Sequence, residues 1–447
     1  MSNRMLNEDG GVTTPSQLRY APTRELYHHS SAFLFGLEPA MPARRTRKYA
    51  LAATRSVACL LAGCGGGGGG AGPNPPADDT AAVQALLDQG GVVTLEARAY
   101  HLSRTLTISR SGTTLQGAGS STVLDFEPQG APAQCANDRV VTTPCALYDE
   151  LPRQVGAPIA VGDVSFQAAR AADTADLSAG DWLVVNDLDA VVGDRVAVDW
   201  VQVASVAGTV VTVAAPFRMA FTTARPWLPR KSGLGFERVP LVANVAIRNL
   251  TAKVEQVPNL KAAGISLFGA LNVSVDNVTV ENYNGQPLYS YLSKQVTVSN
   301  SRANGGAVLS EFGASVDVTL SGNEFNSSAG AGFGLDVGLG FFSVTDNIVS
   351  GSANAGFYAL YGVHDGTLSG NQIGYVNTTS ADRNATGMLL RGAHNITIDG
   401  NSLSGGAGLD SVGIDIEPYT GALVEPDTGV TLGGNTIDGF ATAVQGP

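Results

Sequence analysis

Val296-Thr-Val-Ser-Asn300, Val318-Thr-Leu-Ser-Gly-Asn323 and Ile396-Thr-Ile-Asp-Gly-Asn401 repeat one pattern, an alternating β-rich run that ends in Asn or Gly-Asn. Val245-Ala-Ile-Arg-Asn249, Val273-Ser-Val-Asp-Asn277 and Val430-Thr-Leu-Gly-Gly-Asn435 repeat it again. With Asn347 and Asn371 the series spaces out at intervals of 28, 23, 23, 24, 24, 30 and 34 residues. Alternation of apolar positions marks strands, and Asn or Gly after each marks a corner where a left-handed backbone is tolerated. A rung of near-constant length excludes ordinary domains, and the Leu-x-x-Leu-x-Leu frame of leucine-rich repeats is absent. The pattern therefore predicts an all-β protein, a right-handed parallel β-helix with Asn stacked from rung to rung over residues 240–447.

Such a coil needs a plug at its open end. Asp79-Thr-Ala-Ala-Val-Gln-Ala-Leu-Leu-Asp-Gln-Gly-Gly91 supplies one, with Asp79 as the expected N-cap, Val83, Leu86 and Leu87 as its apolar stripe, and Gly90 as the stop. Short strands follow up to Thr114-Leu-Gln-Gly-Ala-Gly119. This order resembles the N-terminal cap of the pectate-lyase-like β-helix superfamily over residues 78–126, departing at Glu96-Ala-Arg-Ala99. Phage tailspike depolymerases and many exported bacterial proteins belong to that superfamily, so the resemblance implies an exported protein that acts on polysaccharide, and a homotrimer if it extends to the tailspikes' assembly. Between cap and rungs, residues 127–239 hold all three Trp and no Asn ladder, and read as a small antiparallel β insertion. Trp182 and Trp200 belong to its core. Trp227, between prolines, is the expected sugar platform.

Ahead of the cap, Arg44, Arg45, Arg47 and Lys48 precede a short apolar stretch ending in Leu61-Ala62-Gly63-Cys64. These four residues resemble a bacterial lipobox, which implies lipidation of Cys64, an outer-membrane anchor and a periplasmic or cell-surface location. Residues 1–64 then read as a non-native extension plus signal, with translation from Met41, and the Gly/Pro-rich residues 65–77 as a flexible linker. Cys135 and Cys145 remain as a pair in an exported chain and read as a disulfide. Beyond residue 64 the body carries 19 basic and 35 acidic side chains, a charge of −16 that excludes nucleic acid as a partner.

The residues with chemistry sit on one strand row. Placing Ile265/Leu267, Leu288/Ser290, Val308/Ser310, Phe333/Leu335, Phe357/Ala359, Met388/Leu390 and Ile414/Ile416 inward sends Phe268, Tyr289, Tyr291, Glu311, Asp336, Tyr358, Arg391, Asp415 and Glu417 outward, with Tyr361 just beyond. Rings that stack on sugars and carboxylates and Arg that bond hydroxyls suit a polysaccharide. Asp415 and Glu417, two apart on one face with Arg391 one rung below, are the favoured pair for glycoside hydrolysis. Glu311 and Asp336, expected as neighbours in one file, are the second pair. Elimination on a uronic-acid polymer is the alternative, using Tyr361, His364, Lys294 or Arg391 and calcium held by the acidic groups; hydrolysis calls for no cofactor and no metal. A non-catalytic, lipid-anchored polysaccharide binder is the third reading.

Overall fold

The computed structural model describes residues 77–129, 138–144, 153–189, 194–221, 233–239, 241–257, 260, 262–306, 309–326, 331–352, 355–376, 386–405, 411–417 and 429–446. All of them belong to one compact unit, Leu60–Pro447. Residues 1–76, and with them Cys64, the signal and the linker, lie outside the described residues, as do Cys135, Cys145 and Trp227.

Val242–Val254 and Ala270–Tyr283 run through their Asn corners as single strands, and from Leu288 onward each rung is built from three short ones. One belongs to a ten-stranded parallel front sheet; the other two, separated by the Asn corner, belong to an eighteen-stranded corner sheet. The rung of Leu288–Tyr291, Lys294–Ser299 and Arg302–Gly306 shows the plan. Every strand pairs in parallel with its counterpart one rung on, as Val296, Val298 and Ala303 do with Val318, Leu320 and Phe325. Inward positions from all three strands make one continuous core, in which Phe325, Phe333 and Phe357 stack at centroid separations of 4.9 Å.

The Asn series resolves into two devices. Asn249, Asn277 and Asn300 themselves adopt φ of +56°, +51° and +50°. From Asn323 on, the residue before takes the positive φ (Gly322, Asp346, Gly370, Gly400, Gly434), and the Asn side chain turns inward. There it bonds to its neighbour one rung away: Asn347 Nδ2 donates to Asn371 Oδ1 at 3.0 Å, and Asn371 Nδ2 to Asn401 Oδ1 at 2.9 Å. Each Oδ1 also accepts the backbone N–H of the preceding rung's Asn, and each Nδ2 donates to a core carbonyl such as Val344 O. The tight corner leaves backbone groups that cannot pair in a sheet, and this amide ladder satisfies them.

The cap helix α1, Thr80–Gln89, forms as expected and buries Thr80, Val83 and Leu87, but Leu86 faces solvent at 44% exposure. Its cap also differs. Asp79 makes no side-chain capping bond and instead grips Arg98 with both oxygens, while Asp78 Oδ1 accepts from Thr80 N at 2.9 Å. Gln84 completes the plug by bonding both the N–H and the C=O of Thr107, taking the place of a missing strand.

The insertion is a six-stranded, antiparallel sheet whose strands run from Arg153–Gln154 to Gly233–Arg238, with its own core around Phe166, Phe217 and Phe236. Asp138–Thr142 is not part of it and pairs with Ala262–Ser266 at the start of the front sheet. The long insertion strand Asp194–Ala207 lies on the turns that leave the front sheet. A Cβ on Gly362, which has φ +86°, would sit 1.8 Å from Val196 O; one on Gly338 would sit 2.9 Å from Ala197 N. Gly362→Ala is therefore expected to lift the insertion from the solenoid. Limited proteolysis should then cut the insertion faster while the rungs keep their protection; unchanged cleavage would show that the contact carries no weight.

Candidate functional site

Strand pairing arranges the outward front-sheet residues in two files. One runs Ser266, Tyr289, Glu311, Gly334, Tyr358, Leu389, Asp415; the other runs Phe268, Tyr291, Gly313, Asp336, Leu360, Arg391, Glu417. The expected row thus exists as geometry, with one correction. Glu311 faces Gly334 and Asp336 faces Gly313, so these two carboxylates stand in different files and not one above the other. On that rung the pair aligned with Phe333 and Leu335 is Ser310 and Phe312 and not Val308 and Ser310, a two-residue shift of register within the same alternation.

The row is not an open trough along its length. Phe268, Tyr289, Tyr291, Glu311, Asp336 and Tyr358 are all buried, as is Asp415, which ends the first file. The insertion supplies cover. Arg195 Nη1 donates to the Tyr291 hydroxyl at 3.1 Å, and its Nη2 binds buried Glu237. Tyr289 stacks parallel to Tyr291 at 6.2 Å, and Arg139 lies 4.9 Å over Phe268. Tyr291 and its neighbour Tyr289, expected as sugar platforms, instead pack beneath the insertion, and Phe268 packs beneath Arg139 of the front sheet. The signal in the sequence was Asp187, Arg195 and Glu237 in otherwise apolar strands, charges that mark a second buried face on the insertion.

Chemistry converges at the C-terminal rungs. Arg391 and Glu417 are paired in adjacent strands, Nε to Oε2 at 2.7 Å with Nη2 on the same oxygen, and Glu417 is partly open with its side chain 37% exposed. Tyr361 hydrogen-bonds to Arg391 as well, from a backbone at φ +60°. Asp415 stands beside them at 8% exposure, with Oδ1 buried and without a hydrogen-bond partner among the described residues. Burial first, and then the negative charge of Glu417, push the Asp415 carboxyl up to about 6 against the partial opposition of Arg391. One carboxyl thus holds its proton up to about pH 6, next to one held against a guanidinium.

The remaining predicted residues go elsewhere. Lys294 reaches Asp317 at 2.5 Å on the corner sheet, and the same carboxylate binds Arg218 of the insertion at 2.6 Å. His364 is not a surface turn residue. It is 2% exposed, stacked on His394 at 6.2 Å and edge-on to Phe341 at 5.2 Å, with Nδ1 2.9 Å from Asp365. Among the described residues no group of three or more His, Cys, Asp or Glu is gathered to hold a metal ion. Arg218, Asp199 and Asp317, a cluster joining insertion to rungs, were not legible from sequence because nothing local links positions so far apart.

A family described as right handed beta helix region matches residues 241–373. Among curated proteins none matches the chain in sequence. Among solved structures, the tailspike protein gp49 from Pseudomonas phage LKA1 is similar at 14% identity and a TM-score of 0.54, over 82% of this chain and 71% of that one. The tailspike gp61 from Pseudomonas phage phi297 is similar at 16% identity and a TM-score of 0.53, over 82% and 69%. Parallel rungs, inward Asn ladder, cap helix and these likenesses agree: the chain is a right-handed parallel β-helix protein.

Proposed function

We propose that the protein acts on an extracellular polysaccharide and hydrolyses its glycosidic bonds, with Asp415 as the proton donor. The observation that carries this is the Asp415 carboxyl raised to about 6 beside Glu417 and Arg391. Glycosidic cleavage needs a neutral acid at the leaving oxygen and a negative charge near an oxocarbenium-like centre. Asp415 supplies the first. Glu417, oriented by Arg391, supplies the second as base, nucleophile or electrostatic partner. Likeness in fold to phage tailspikes supports a polymer substrate. In this reading the chain is exported, tethered through Cys64 and the linker to the outer membrane, and free to assemble as a homotrimer.

Elimination is the second reading, favoured by one observation: Tyr361, held in a left-handed backbone, hydrogen-bonds Arg391. A tyrosine base beside a cation that neutralises a uronate is the arrangement that chemistry requires. Incubation with a panel of bacterial exopolysaccharides, read by reducing-sugar and ultraviolet assays, separates the readings. New reducing ends without ultraviolet absorbance are expected. Absorbing, unsaturated ends transfer the chemistry to Tyr361, and neither signal leaves a binder.

A further inference from the structure

Two cavities meet at Trp182. One, of about 420 Å³, is lined by Asp181, Trp182 and Arg238 among others. The second, of about 210 Å³, is lined by Trp182, Trp200, Asp199, Arg218 and Lys294 among others, and lies where insertion and corner sheet meet. Each combines the Trp182 indole with an Arg–Asp ion pair: Arg238 and Asp181 at 3.0 Å in the larger, Arg218 and Asp199 at 3.6 Å in the smaller. Trp200 stands 6.3 Å from Trp182 with the rings inclined at 56°.

Two residues lining the smaller cavity carry hydrogen-bond donors that lack acceptors among the described residues. Trp200 is 4% exposed and its Nε1 is buried without a hydrogen-bond partner among the described residues, and Arg218 Nη2 is in the same condition, its ion pair with Asp199 being too long for a hydrogen bond. A buried donor left unpaired costs about 1–3 kcal/mol, and both donors belong to residues that line the cavity, so an occupant that brings acceptors relieves that cost. Its charges already balance, since Lys294 and Arg218 face Asp199 and Asp317. That balance disfavours an anion. An uncharged ring with an apolar face for the indoles and hydroxyl oxygens for the donors meets every requirement.

We infer that Trp182 and Trp200, with Arg218, form a secondary subsite that takes neutral sugar units of the polymer, one on each side of Trp182. The inference rests on the proposed polysaccharide substrate and adds where, and by what chemistry, the chain is gripped away from Asp415. Asp317, which anchors Arg218, is four rungs from the Glu417 rung, about 19 Å at ~4.8 Å per rung. Along the coil axis an oligosaccharide of several units covers that distance.

Tryptophan emission of the full chain, titrated with cellohexaose, maltohexaose, chitohexaose and a mannuronate hexamer, tests this. At least one neutral hexasaccharide should shift the emission and bind more tightly than the mannuronate. Trp182→Ala should weaken that binding about tenfold or more, in line with the loss of a stacking platform. Trp200→Phe keeps the packing and deletes the donor, so it decides the matter even where Trp182→Ala fails to fold, and it should weaken binding about threefold to tenfold. Binding by no neutral hexasaccharide, tighter binding of mannuronate, or unchanged affinity in both variants overturns the subsite. Asp415→Asn should bind as the parent does. Trp182-dependent binding without turnover on any polymer would overturn hydrolysis and leave the subsite, whereas turnover with Trp-independent binding would do the reverse.

Discussion

Asp415→Asn lowers turnover on the cleaved polysaccharide by about 10²–10⁴-fold, the range for loss of a general acid, and leaves the strand and its pairing intact. The amide has the shape of the acid without a proton to give. Parent activity should also fall as pH rises through about 6, where Asp415 ionises, and this alkaline limb should be missing from the residual activity of the variant. Stability moves in the opposite sense. Because the folded carboxyl is raised from 3.8 to about 6, its stabilising contribution is complete below pH 4 and is lost as pH climbs through 6. At pH 8 the Asn variant is therefore expected to be more stable than the parent by about 1–3 kcal/mol, reduced by solvent screening, with no difference at pH 4. Undiminished turnover in the variant would move the bet away from Asp415, Glu417 and Arg391 altogether.

Asn371→Ala should cost about 3–5 kcal/mol, large for one surface-free substitution in a protein of any size. The side chain accepts from Asn347 N and Nδ2 and donates to Val344 O and Asn401 Oδ1, and alanine strands these groups in a dry corner. Asn435→Ala, at the last rung, loses a donor to Ile398 O and an acceptor for Asn401 in a partly open site, so its cost should be clearly smaller. Urea midpoints of the two variants, with hydrogen exchange at the corner amides, compare them. Equal losses would mean that the ladder's interior is no better insulated than its end.

The corner chemistry was readable because it is local. Gly-Asn at the end of an alternating run has few uses, and recurrence at a rung's length leaves little besides a coil. The helix plug was readable for the same reason, although Asp79 and Leu86 show that the cap partner and the last apolar position depend on which strand end lies beneath. Alternation also placed Asp415, Arg391 and Glu417 on one outward face of two adjacent strands, where pairing keeps them. It kept Glu311 outward but did not fix its file, because that rung offers two registers that differ by two residues and alternate equally well; only the pairing of Ser310 with Phe333 selects between them.

What the residues determined on their own was the winding: a period, a corner and an inward alternation, each set by contacts within a rung or between adjacent rungs. What required the tertiary structure was exposure. Whether Tyr291 meets sugar or Arg195, and whether Gly362 meets water or Val196, depends on an insertion folded more than ninety residues earlier in the chain. Its docking surface is chosen by shape and buried charge, and neither leaves a periodic trace in the sequence.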